Sequence, residues 1–179
     1  MHARTTELIE HLEKSRSDLR AAVDAVPAEL RDKQPSPDKW STAQVLEHLA
    51  HTESSVTGLL ERGMRKLERA GLKPATDASA VLPTIDAKKL LDRATKFTAP
   101  ETVRPTKNLN SEQAWQVLTN SRSSLLDTLK SADGIDVDSI RGPHPFLGEL
   151  GFHQWIAFVG LHEARHAAQI RATATALRG

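Results

Sequence analysis

An all-α fold, a four-helix bundle with a long crossover connection between its second and third helices, is what this 179-residue chain predicts. Three observations carry that expectation. Apolar residues recur at spacings of three and four over four long stretches. Strand signals are nearly absent, with no tyrosine, few alternating runs and no Asn-Gly turn. Prolines fall between the periodic stretches rather than within them. The length suits one domain, 1–179, large enough to bury a substantial core.

The first helix is expected from Thr6 to about Ala25, with Leu8, Ile9, Leu12, Leu19, Ala22 and Val23 on one face. His2 and His11 are placed at its solvated edge. Pro27, Pro35 and Pro37 make 27–39 an ordered connection. Ser41-x-x-Gln44 is a capping-box pattern that opens the second helix, and Trp40 before it suits a residue packed over the first turn. The apolar run Val45, Leu46, Leu49, Val56, Leu59 and Leu60 continues it through Arg69, and Gly71 supplies a left-handed stop.

Residues 71–109 are punctuated by Pro74, Pro83, Pro100 and Pro105, with Asp86 expected to cap a short helix through Phe97. This is the crossover. Asn110 or Ser111 starts the third long helix, which Gly134 ends. A loop with Pro143 and Pro145 follows, and its Phe146 and Leu147 are expected to dip into the bundle. The final helix is expected from about Glu149 to Leu177.

Lys plus Arg total 24 and Asp plus Glu total 23, a net charge of +1 with His neutral. That balance gives no electrostatic reason to expect nucleic acid or an anionic membrane as a partner. The basic residues Arg62, Arg65, Lys66, Arg69 and Lys73 alternate with Glu61 and Glu68, as on a solvated helix face. Cysteine is absent, which removes disulfides, thiolate ligands and a cysteine nucleophile together. The charged, amphipathic first twenty residues hold no apolar run fit for a signal or membrane span, so a cytoplasmic location is the default expectation.

The chemistry concentrates in the final helix. At about 3.6 residues per turn, Trp155, Val159, His162, His166, Gln169 and Thr173 share one stripe. His162 and His166, four residues apart, can reach one point and form half of a divalent-metal site. Together with Glu163 they spell H-E-x-x-H, the pattern in which the Glu is a metalloprotease base. That reading fails for want of a downstream ligand, because residues 167–179 contain no His, Asp or Glu.

The third ligand must come from upstream. On the second helix His48 lies about 60° from the centre of the apolar stripe and can lean inward, while His51, at about 120°, is expected to be exposed. His153 lies about 180° from His162 around the final helix and cannot converge with the pair. His144, in the proline-flanked loop, can reach the bundle mouth to meet a substrate or the outer shell of the metal. Three neutral imidazoles with an open position suit a late divalent ion, zinc or nickel first, iron or manganese after. Gln44, Gln169 and Glu163 are candidates for orienting the ligands.

Two motifs carry a resemblance. W-S-x-x-Q-V-L-x-H-L from Trp40, and F-L-G-x-L, W-I-x-F and H-E-x-R-H-x-x-Q-I between Phe146 and Ile170, resemble the DinB-like family of metalloenzymes. The resemblance implies a four-helix bundle, commonly dimeric, in which His48, His162 and His166 bind a divalent metal. It further implies a transferase using a low-molecular-weight thiol, or a hydrolase, in which the metal activates a thiol or a water against a small-molecule electrophile. Any thiol has to be a cosubstrate, since the chain has no cysteine of its own. The rival expectation is a non-catalytic helical stress-response module whose metal site is structural or vestigial.

Overall fold

The computed structural model describes residues 1–95, 97–106 and 108–178. Its order is α1 (Ala3–Asp24), α2 (Thr42–Ala70), α3 (Ala87–Leu91), α4 (Ser111–Ser131), β1 (Arg141–His144), β2 (Gly148–Gly151) and α5 (Phe152–Arg178). The four long helices make the bundle. α1 packs along α5, α2 packs along α4, and α2 also meets α5.

The capping chemistry lies where the sequence places it. Ser41 Oγ accepts the Gln44 N–H while Gln44 Oε1 accepts the Ser41 N–H, which closes two of the free donors of α2. Asn110 and Gln113 make the same reciprocal pair on α4. Gly71, at φ 98°, follows the last residue of α2, a conformation that a side chain would strain. Asp86 caps a helix of five residues rather than one reaching Phe97.

One expectation needs correction. The chain has an antiparallel hairpin, with Arg141 opposite Gly151 and His144 opposite Gly148. Neither strand is rich in the β-branched residues that advertise strands. The hairpin is made instead by its turn, in which Gly148 takes φ 78° just after the 145–147 loop. The final helix therefore begins at Phe152 and not near Glu149.

The core has two apolar clusters. Leu8, Leu12, Leu60, Leu125, Leu129 and Ile156 belong to one. Leu19, Leu46, Leu49, Leu118 and Ile170 belong to the other. On every long helix a charged residue falls in the sequence between the two sets: Arg16, Glu53, Arg122 and Glu163. These four meet in a buried ring.

Arg122 Nε lies 2.5 Å from Glu53 Oε1 and its Nη2 lies 2.9 Å from Glu163 Oε2. Arg16 reaches Glu163 at 2.8 Å and Glu53 at 3.2 Å. Ser15 and Ser121 donate to the two carboxylates, and Arg122 also donates to the Leu12 carbonyl. Burial opposes the charge of Arg122, but Glu163 and Glu53 outweigh it and hold the guanidinium above its ordinary pKa.

His11 is not at the solvated edge. It is partly buried against α5, where its Nε2–H donates to the Ala157 carbonyl at 3.0 Å. Gly160 makes this approach possible, because a Cβ there would overlap the His11 ring.

Two stability outcomes follow. Arg122→Met leaves two buried carboxylates with Arg16 alone and is expected to cost about 3–5 kcal/mol in urea unfolding. Gly160→Ala is expected to cost about 1–3 kcal/mol by overpacking, and His11→Ala in the same chain should recover part of that loss, read as a positive coupling in a double-mutant cycle.

Candidate metal centre

His48 is buried on α2, and His162 and His166 lie one turn apart on α5. The His48 and His162 Nε2 atoms are 3.3 Å apart, and those of His162 and His166 are 3.0 Å apart. One ligating nitrogen from each ring lies within 4.8 Å of the other two. Among the described residues this is the one cluster of at least three His or acidic side chains with metal-ligand spacing.

The hydrogen bonds behind the rings decide what the cluster can do. His48 Nδ1 lies 2.8 Å from the Val103 carbonyl. A carbonyl only accepts, so Nδ1 carries the proton and the lone pair is on Nε2. His166 Nδ1–H donates to Gln169 Oε1 at 2.8 Å, which also leaves its Nε2 lone pair inward. The Nε2 proton of His162, if present, can serve only one of those lone pairs. A cation at the common point satisfies all three, so the donor set fits a divalent metal better than it fits itself.

Electrostatics agree. Burial, then the neighbouring His166 and His48, push the His162 imidazole well below its ordinary pKa. Burial, then His48, lower His166 to about 3. Burial also lowers His48. All three are held as the neutral bases that ligate metals.

The triad faces a cavity of about 920 Å³. Trp40 stands over His48 with ring centroids 4.9 Å apart, and Phe158 stacks on His162 at 5.2 Å and 18°. The crossover supplies another wall. Arg165 of α5 donates to the backbone carbonyls of Leu90, Asp92 and Thr95, each at 2.7 Å, and lies over the Phe97 ring at 4.8 Å. Arg93 answers with a bond to the Ala168 carbonyl.

The other histidines separate as follows. His51 is half-buried, not exposed, and its Nδ1 lies 3.3 Å from the Arg104 carbonyl. His153 stays outside the triad, as its position on the helix requires. His144 lines the cavity, its ring 4.5 Å from Phe158.

Of the three candidate orienting groups, Gln169 is the one hydrogen-bonded to a triad ring among the described residues. Gln44 is committed to the α2 cap, and Glu163 belongs to the charge ring. Sequence reading missed the Val103 carbonyl, which is a backbone group at the end of a short 3-10 helix, Glu101–Val103, and leaves no trace in residue identity.

A scan against family models matches residues 11–170 to the DinB superfamily. The chain belongs to that superfamily. It is 28% identical over 144 residues to an uncharacterized protein, YuaE, of Bacillus subtilis strain 168, a match covering 78% of this chain and 80% of that protein. It also resembles the crystal structure of TT2238, a four-helix bundle protein, with a TM-score of 0.62 and 22% identity over 94% of this chain and 98% of that one. No helix is long and apolar enough to cross a membrane among the described residues.

Acid should weaken this fold through its histidines. Burial holds His144 and His153 at about 4 and His166 at about 3, against an ordinary value of 6.5. Below 6.5 the unfolded chain takes up protons that the native state refuses, so stability falls with pH from there down to the folded values. The urea midpoint of chelator-treated protein is expected to be lower at about pH 5 than at about pH 7.5, with the m-value unchanged.

Proposed function

We propose that the cavity is the active site of a divalent-metal-dependent enzyme, a transferase using a small thiol cosubstrate or a hydrolase, acting on a small-molecule electrophile. The observation that supports this best is the convergence of three neutral imidazoles on the floor of a large cavity, two of them with the outer nitrogen tied off. His48, His162 and His166 are the ligands in this reading. Bound there, the metal supplies Lewis acidity that makes a thiol or a water a competent nucleophile near neutral pH.

The chain's own groups do the rest. The Val103 carbonyl and Gln169 hold two rings in the ligating tautomer. Trp40 and Phe158 fix ring orientation by packing. Trp155, Phe158, Phe146 and Phe97 give the cavity an apolar wall that sheds water around an electrophile. A thiol nucleophile enters as cosubstrate, as the absence of cysteine requires. All-imidazole ligation favours zinc or nickel over the harder ions. A homodimer is part of the same proposal.

The test is elemental analysis of purified protein beside His48→Ala and His162→Ala. About one metal per chain is expected in the wild type and loss of it in both variants. Metal at 100 to 1,000 times its Kd should raise unfolding free energy by roughly 3–4 kcal/mol. A wild type that takes up no zinc, nickel or manganese on reconstitution would overturn the enzyme reading and leave a helical binding module.

A further inference from the structure

The hairpin places one more imidazole in the cavity with a free hydrogen-bonding edge. His144 Nδ1 accepts the backbone N–H groups of Phe146 and Leu147, both at 3.2 Å. Two donors on one ring nitrogen require a lone pair there, so the proton of a neutral ring is on Nε2. Burial, then the charge of Lys89, holds the group at about 4, so the ring is neutral near pH 7. Its faces and flanks are occupied by Phe158, Trp155 and Phe146, with centroids at 4.5, 5.4 and 6.0 Å.

Nε2–H is what remains. The residue is only 9% exposed, and Nε2 has no hydrogen-bond partner among the described residues. The ring lines the same cavity as the triad, and Phe158 packs against both it and His162. Holding the turn together uses one nitrogen. Nε2–H is left over on the cavity side as a donor without a described protein partner, open to whatever fills the cavity.

We propose that His144 is a substrate-binding residue whose Nε2–H donates a hydrogen bond to an oxygen of the molecule held at the histidine triad, so that the pocket selects ligands carrying a carbonyl or carboxylate oxygen. A neutral imidazole with a fixed tautomer donates and does not accept at this nitrogen, and it carries no charge to repel the metal. The aromatic walls suit an apolar body behind that oxygen. The proposal rests on the metal-dependent reading above.

The experiment uses the full chain loaded with cobalt(II) and two probe anions, acetate and thiocyanate, followed by the visible spectrum of the metal. Acetate offers an oxygen to Nε2–H; thiocyanate has none. His144→Asn keeps a side-chain oxygen for the turn N–H groups but has nothing that reaches the cavity, whereas His144→Phe removes both functions. The expected result is acetate binding weakened about tenfold in both variants, with thiocyanate changed by less than about twofold. If His144→Phe does not fold, His144→Asn carries the test alone.

Equal weakening of both anions, or no weakening of acetate in His144→Asn, would overturn the assignment. So would a nitrogen-15 spectrum of the metal-free wild type that places the proton on Nδ1. A wild type that takes up no cobalt overturns the metal-dependent reading and this one with it, whereas uptake with unchanged anion affinities overturns this one alone.

Discussion

The buried ring of Arg16, Glu53, Arg122 and Glu163 sets the geometry of the bundle. Each long helix contributes one charge, and the two positives and two negatives cancel. Desolvating four charges is costly, so the ring does not maximise stability; a tight apolar layer of equal volume would rival it. What it provides is a single permitted arrangement. Rotating any helix by one residue would swing its charge by about 100° and strand its partners.

The histidine cluster inherits that constraint. Glu163 points at Arg16 and Arg122, so His162, the residue before it, is turned toward α2 instead. His166 follows one turn on and His48 meets both from the facing helix. The polar ring and the imidazole cluster are therefore two faces of one helix orientation. The short motif H-E-x-x-H encodes both, with its glutamate serving the fold and its histidines the site.

Much of this was legible in residue order. The cap at Ser41, the start of the third long helix at Asn110 or Ser111, the stripe on α5 and the inward lean of His48 are local or periodic signals, and each appears in the structure. The partners of Glu163 were not legible. Arg16 lies 147 residues away, and nothing in spacing links them. The same holds for His11, whose bond to Ala157 depends on the missing side chain of Gly160. The hairpin escaped notice because a glycine turn, not strand composition, makes it. Glu163 shows the hazard of motif reading: a carboxylate between two histidines is drawn toward the site on paper, yet its helical phase takes it into the core.

The way Arg165 holds the crossover has a consequence for how such a protein changes over generations. Its guanidinium donates to three backbone carbonyls and lies over a single side chain, Phe97. Val103 likewise holds His48 through its carbonyl. The carbonyl anchors are blind to the identity of the residues they hold. The exposed residues of the cavity's outer wall can change while its path, and the imidazoles beneath it, stay where they are. A single scaffold of this kind can present different cavity walls over one unchanged imidazole cluster.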